Sequence, residues 1–495
     1  MTAPVGLARR ALGGGALFFF AVSASAPMTV VAGGVMATYA STGVLAVPAA
    51  FPVIMVALLL FSAGYVAMAR YVPHAGPLYA HVARGLGPVR GLGAAALALL
   101  GYLAIGCSLY GLLGSVVATL LGGEWWAWAL AAWAAVAVLG LLHIGVNAKV
   151  LALLLVGEIV VVVLFDLAAF SHPAEGTVSL APLLPTNLVH DGVGGVLGLT
   201  VAAFIGYESA LAYGEEAREH RAVARATLGS LVFIGVLYAV SSWAVAVAVG
   251  PTRVVEVARE PGAVIPLSVV ESHYGTLVGA VATLLLVTSV FAAMLSFHHT
   301  ASRYVFVLSR ERVLPPVLGR IGRGPAAGAP IGGSVVQSVV ALAVIVVCAL
   351  ADADPVGALF TQLSTVAAIA LLTLMLVVCL AVLRFYRRGG GTNERAWVRV
   401  VAPALGALGT AAILATTVAN LPSVVGPQSG ASWLLPAVVA VCGLAGLVWG
   451  GRYGSGPAVP ARSVAESRSR SRSSNTISPV WTYDVSRTAT FGGRS

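Results

Sequence analysis

Residues 199–227 read LTVAAFIGYESALAYGEEAREHRAVARAT, and the middle of this stretch decides how the chain is read. It begins as an apolar helix and then meets Phe204-Ile205-Gly206-Tyr207-Glu208. Glycine frees the backbone to leave helical geometry. A carboxylate at membrane depth is costly unless it faces protein or water. The run leaves through Gly214-Glu215-Glu216-Ala217-Arg218, a charged exit into an aqueous compartment. Irregular backbone within a membrane is tolerated where it is buried in protein or lines a cavity, so this point is a candidate binding site.

Outward from that stretch the chain is apolar almost throughout. Of its 495 residues 59% are hydrophobic and 9% charged, which excludes an ordinary soluble domain. A spanning helix needs about 20 apolar residues. Twelve segments qualify: 14–38, 44–68, 91–120, 125–145, 149–170 and 193–213, then 228–250, 275–298, 331–351, 357–384, 398–420 and 433–451. The first lacks a cleavage site and reads as a span rather than a signal peptide. The net charge of +10 is a topology signal. With a cytoplasmic N-terminus, only Arg253 and Arg259 of the 28 Lys and Arg fall in external loops, as the positive-inside rule asks. Glu124, Glu175, Asp191, Asp352 and Asp354 then lie outside. The expectation is a multi-pass protein of the plasma (inner) membrane with both termini cytoplasmic. Cys107, Cys348, Cys379 and Cys442 are scattered without metal-ligand spacing and read as packing residues, so no metal or cofactor is expected.

The first segment reads ALFFFAVSASAPMTVVAGGV. Its Ser23–Pro27 stretch is small and polar, and Pro27 removes a main-chain donor and disfavours helix just before it. With Gly33 and Gly34 following, the helix is expected to break near its middle. Trp125, Trp126 and Trp128 open the fourth segment as an interfacial belt. The fifth starts at Lys149 and carries Glu158, about 13 Å deeper at 1.5 Å per residue; Asp166 lies toward its outer end. Residues 171–192 read as an external loop, and 251–274 as an external amphipathic segment. The eighth segment ends in Ser296-Phe297-His298-His299-Thr300-Ala301-Ser302-Arg303-Tyr304, its histidines serving either interfacial hydrogen bonding or a proton relay. Two halves, about 11–170 and 193–385, each start with an interrupted helix and carry a connecting segment on opposite sides, which is the pattern of an inverted repeat. Residues 1–10 form the N-terminal segment, 398–453 supply two further helices, and the Ser/Arg-rich 454–495 reads as a disordered cytoplasmic tail.

Several of these motifs resemble those of the amino acid–polyamine–organocation (APC) permeases, over roughly residues 10–450. Phe204-x-Gly206-x-Glu208 followed by Gly214–Arg218 is similar to the signature of their sixth helix. Pro73-His74-Ala75-Gly76-Pro77-Leu78-Tyr79 with Gly85-Leu86-Gly87 resembles their P-x-A-G-x-x-Y … G-x-G loop. Phe297–Arg303 and Arg310-Glu311-Arg312-Val313-Leu314-Pro315 resemble F-x-N-x-x-x-R and R-[DE]-x-x-L-P, with His299 where the pattern has Asn. Ser25-Ala26-Pro27 stands where the family usually reads Gly-Ser/Thr-Gly. The resemblance implies an all-α integral membrane fold of twelve transmembrane helices. It implies a five-plus-five, LeuT-like inverted repeat with broken helices 1 and 6 and two peripheral helices.

The same resemblance implies secondary active transport of an amino acid or related amine. The substrate would lie between Ser23, Ser25, Ala26 and Pro27 on one side and Ala203, Phe204, Ile205, Gly206 and Tyr207 on the other. Its carboxylate would meet N–H groups at the first break, where a half-helix N-terminus favours anions, and its ammonium the carbonyls of the second. Glu208 becomes a cytoplasmic-side gate or a structural acceptor. Permeases of this kind often hold a lysine where Glu158 stands, so the charge is reversed. A buried carboxyl can load and release a proton, which makes Glu158 the carrier in proton-linked transport or a neutral hydrogen-bonding residue. No nucleotide-binding loop or catalytic triad occurs, so neither an enzyme nor ATP-driven transport is expected. The expected partners are the substrate, protons and the lipid bilayer, not nucleic acid. An amine or polyamine exchanger and a non-transporting membrane sensor are the alternatives.

Overall fold

The computed structural model describes residues 13–453 apart from 73, 75, 142–147, 190, 213–216, 218–219, 261–263, 323–327, 392–393 and 423–429. The expected N-terminal segment 1–10, the exit residues Gly214, Glu215, Glu216 and Arg218, and the tail 454–495 lie outside the described residues. Every regular element among the described residues is helical. The first span comprises α1 (Gly14–Ala24), α2 (Pro27–Thr29), a π turn Val30–Gly34, and α3 (Val35–Thr42). Then come α4 (Val47–Ala69), α5 (Pro77–Leu86), α6 (Pro88–Leu121), α7 (Trp125–Gly140) and α8 (Ala148–Ser171). The second half runs α9 (Val193–Phe204), α10 (Ser209–Ala212), α11 (His220–Val249), α12 (Val254–Ala258), α13 (Ile265–Tyr274) and α14 (Thr276–Arg310). It continues through α15 (Ile331–Leu350), a π turn Pro355–Gln362 leading into α16 (Leu363–Arg387), α17 (Ala402–Ala419) and α18 (Leu434–Tyr453).

Among the described residues, eleven stretches are long and apolar enough to cross a membrane, with α1–α3 counted as one and α9–α10 as one. The segment expected at 125–145 is α7, a shorter apolar helix of 16 residues. Two expected boundaries move substantially: the span expected to start at 228 begins at His220 as α11, and the span expected to end at 298 continues to Arg310 as the 35-residue α14. His298, Ser302 and Ser309, at and beyond that expected end, are buried and hydrogen-bonded inside the bundle. Ser302 Oγ donates to His298 O at 2.7 Å, and Ser309 Oγ donates to Pro315 O at 2.8 Å. His298 Nε2 meets Ser334 Oγ of α15 at 2.7 Å. His298 is therefore a packing histidine within the protein rather than an interfacial one.

Helix α6 runs through the centre, packed by α5, α14, α16 and α18, while α16 also touches α9 and α17. Helix α18 lies along α6 yet is the most exposed of the spans. Helix α8 shows how the lipid-facing shell is built. Leu153, Val156, Val160, Val163 and Leu167 point outward at helical spacing, whereas Leu155, Glu158, Val162, Phe165 and Ala169 point inward. Both stripes are apolar but for Glu158 and Asp166 on the inward side, so most of the residues tell the span and not its face.

Two short helices repeat one design. Helix α5 begins at Pro77 and ends at Gly87, φ 105° and ψ 162°, where the 34-residue α6 departs. Helix α13 has Pro266 in its first turn and ends at Gly275, φ 89° and ψ 167°, where the 35-residue α14 departs. That backbone region is essentially glycine's alone. Contacts sort the connections to two ends of the bundle. At the α5 end, Arg70 pairs with Glu394 at 3.1 Å, and His74 Nε2 and Tyr79 OH meet Glu311 at 2.9 and 2.8 Å. At the α13 end, Arg259 Nε donates to Ala40 O at 3.0 Å and Thr252 Oγ1 to Glu175 at 3.0 Å.

Candidate functional site

Two interruptions of helix face each other in the middle of the bundle. The first follows α1, where Ala26 takes φ 43° and ψ 74° before Pro27 opens α2. Proline excludes the helical conformation from the residue before it, and a buried left-handed alanine costs about 1–2 kcal/mol. The second follows α9, where Ile205 is extended at ψ 128° and Gly206 takes φ 116°. A Cβ on Gly206 would lie 2.9 Å from the carbonyl carbon and Cβ of Ala24. The two breaks are therefore in direct contact, and only glycine permits both the torsion and the approach. Tyr238 OH of α11 clamps the first break by donating to Ser25 O at 2.7 Å.

A cavity of about 50 Å³ lies beside the breaks. Ser25, Ala26, Thr29, Val30 and Gly34 line one wall, and Leu199, Ala202, Ala203 and Ile205 another. Ile105 and Leu109 of α6, Ala293 of α14, and Phe360 with Ser364 complete it. The next turns of the same elements, at Gly33, Leu112, Val356 and Thr361, line a wider cleft of about 850 Å³ toward the α13 end. That cleft carries Arg259, Glu260, Glu271 and Asp354. On the α5 side the packing includes Tyr65, Tyr79, Tyr102 and Tyr304, all buried. The geometry is that of a site open toward one end of the bundle.

Of the nine residues expected to bind substrate, Ser25, Ala26, Ala203 and Ile205 line this cavity. The other five shape it from behind. Ser23 O accepts the Ala26 N–H at 3.1 Å, and Pro27 sets the break. Phe204 packs on Phe51 and Tyr238, with ring centroids 6.1 and 6.2 Å away. Gly206 meets Ala24, and Tyr207 OH reaches Ser62 Oγ of α4 at 3.0 Å. The sequence reading missed Thr29, Ile105, Leu109, Leu199, Phe360 and Ser364, because an apolar wall looks like any other stretch of spanning helix.

Glu158 is buried level with the first break. Its Oε2 accepts from Ser289 Oγ of α14 at 2.6 Å. Ser289 Oγ in turn receives Thr29 Oγ1 at 3.1 Å and the Thr29 N–H at 3.4 Å. The Met28 N–H also interacts with the Glu158 carboxylate. The N–H groups expected to meet a substrate carboxylate are thus turned toward α8 and α14. Thr29 belongs both to this chain and to the cavity wall, so one hydroxyl, Ser289, separates Glu158 from the cavity.

Glu208 sits on the opposite side of the second break, equally buried. It accepts from Tyr102 OH of α6 at 2.8 Å and from the Gly206 N–H at 3.0 Å. The carboxylate reaches back two residues to hold the break open and ties it to α6. Asp166 is also buried, although it lies near the end of α8. Ser241 Oγ donates to its Oδ2 at 3.0 Å, and Oδ1 has no partner among the described residues. No cluster of three or more His, Cys, Asp or Glu suited to a metal occurs among the described residues.

The family model described as "Amino acid permease" matches residues 12–444 of the chain. A search of curated proteins returned no match.

Proposed function

Because the chain belongs to the amino acid permease family, we propose that it is a secondary active transporter carrying amino acids across the plasma membrane, coupled to protons. The observation that carries this reading is the pair of touching helix breaks enclosing a small cavity at the foot of a cleft, with buried Glu158 one hydroxyl away. Twelve spans in two inverted halves fit the chain, with α7 as the fourth and α17 and α18 outside the repeats. The matching corners at Gly87 and Gly275, about 190 residues apart on opposite ends, support that symmetry. The Arg-rich α5 end would then be cytoplasmic and the cleft would open outward.

The proposed coupling follows from hydrogen-bond direction. An ionised Glu158 accepts the hydrogen bond of the Ser289 O–H, so Ser289 accepts from Thr29 and the donors at the start of α2 are occupied. It also repels a second carboxylate nearby. A proton on Glu158 cancels that charge, frees Ser289 to donate toward Thr29, and relaxes its hold on the Met28 N–H. A substrate carboxylate then meets an uncharged wall with donors to spare, so proton and substrate bind together. Glu208, holding the second break against Tyr102, is placed as the gate beneath the cavity: closure on the cleft side and opening on the α5 side would have to break or move that bond. No covalent step is involved.

Purified protein in proteoliposomes tests this with labelled amino acids and an imposed proton gradient. The expected result is concentrative uptake that collapses when the gradient is dissipated. Glu158→Gln should keep equilibrative exchange but lose accumulation and pH dependence. Accumulation by that variant with unchanged pH dependence would remove Glu158 from the coupling role.

A further inference from the structure

On the reading of the cavity as the substrate site, we infer that it selects zwitterionic amino acids with a small, uncharged, apolar side chain and rejects cationic, anionic and polyamine ligands. Three features point the same way. None of the lining side chains is ionisable. A ligand carrying net charge would leave that charge buried without a counter-ion, whereas a zwitterion brings its own. Glu208 does not supply one, since it faces away into hydrogen bonds with Tyr102 and the Gly206 N–H, and Glu158, bonded to Ser289, is neutral in the coupling above when proton and substrate bind together.

The second feature is the polarity of the cavity's hydroxyls. Ser25 Oγ donates to Ala21 O at 3.1 Å, Thr29 Oγ1 to Ser289 Oγ at 3.1 Å, and Ser364 Oγ to Ser108 Oγ at 3.1 Å. Each proton is used within the protein in this arrangement; Ser25 and Ser364 keep lone pairs toward the ligand, and Thr29 is the hydroxyl that a proton on Glu158 would release as a donor. Main-chain hydrogen bonding at the second break adds to this. The N–H groups of Ile205 and Tyr207 go to Ala202 and Phe204, three residues back. The carbonyls of Ala203 and Ile205 therefore receive no main-chain bond among the described residues. One ammonium is met by these acceptors. A second cationic group held within the same cavity would meet Ile105, Leu109, Leu199, Ala293 and Phe360 instead.

Size is the third feature. The cavity beside the breaks, about 50 Å³, is far narrower than the adjoining cleft of about 850 Å³. The narrow part suits a small side chain, and a longer one would have to leave it for the cleft. Leu199 and Ile105 are placed to set the limit, because truncating either widens the cavity without touching the breaks.

The experiment is ligand competition on the wild-type protein in nanodiscs, with labelled alanine as the reporter and unlabelled alanine, leucine, phenylalanine, arginine, glutamate and putrescine as competitors. Alanine should compete best, leucine more weakly, and arginine, glutamate and putrescine at least 100-fold more weakly. Scintillation proximity on Leu199→Ala and Ile105→Ala should narrow the alanine-to-leucine ratio about tenfold in at least one variant. Should arginine or putrescine match alanine in the wild type, the selectivity inference fails while the transporter reading stands. If labelled alanine, leucine, arginine and putrescine all fail to bind directly, the transporter reading fails and takes the inference with it. A leucine ratio unmoved in both folded variants would overturn the assignment of the wall.

Discussion

Gly206 and Ala26 both take a positive φ but with opposite freedom to change. Gly206 holds φ 116° with the Ala24 backbone where a side chain would go. Ala26 already carries a Cβ at φ 43° and bears the strain. Gly206→Ala should therefore push the two breaks apart and weaken alanine binding by at least tenfold, about 1.4 kcal/mol. Ala26→Gly should be close to neutral, since relief of the left-handed alanine offsets the added freedom of the unfolded chain. Binding by both variants, compared at matched monodispersity on size exclusion, checks the pair; equal losses would mean that the breaks matter only as packing. Both breaks were legible in the sequence because Pro27 and Gly206 are residue types that interrupt a helix for a stated reason. Thr29, Ser289 and Tyr102 were not. A hydroxyl in a spanning helix usually bonds a carbonyl of its own helix, as Thr38 does to Gly34 O at 2.7 Å. Nothing in the residue type shows which hydroxyl has turned to a partner helix instead.

Elements set which of these side chains meet. Helix α8 delivers Glu158 and Asp166 from one inward stripe, and α14 brings Ser289 to Glu158 and His298 to Ser334. The sequence told the position of each span closely, because twenty apolar residues in a row leave little choice. It misplaced the end of α14 for a physical reason. Polar residues at 296–309 resemble a water interface unless their partners on α15 and in the 315 turn are known. The corners at Gly87 and Gly275 carry an element-level prediction. A Cβ at either meets no atom within 4 Å, so substitution exposes the backbone cost alone. Gly87→Ala and Gly275→Ala should each destabilise the protein by about 1–3 kcal/mol, read as similar losses in apparent melting temperature in detergent. A large loss in one and none in the other would argue that the two corners are not equivalent, and with them the two halves.

For the whole molecule the decisive asymmetry is electrical. Among described connections, Arg70, Arg84, Arg312, Arg320, Arg387, Arg388 and Arg395 gather with α5, while Arg253 and Arg259 stand at the α13 end with Glu175, Glu260 and Asp354. Positive charge stays on the cytoplasmic side during insertion, so the cleft should face out. Single-cysteine labelling decides it, and the fold dictates where the cysteines go. Ser309 looks like a loop residue in the sequence but is only 4% exposed, so a probe there would fail in either orientation. Val178 and Val317 are 40% and 49% exposed, at opposite ends. Cys107, Cys348, Cys379 and Cys442 are all free of disulfides and can be replaced to give a silent background. In intact cells Val178→Cys should react with a membrane-impermeant maleimide, and Val317→Cys should react only after permeabilisation. The reverse pattern would place the cleft on the cytoplasmic side, and Glu158 would then reach the inner solution through the cleft before the outer one.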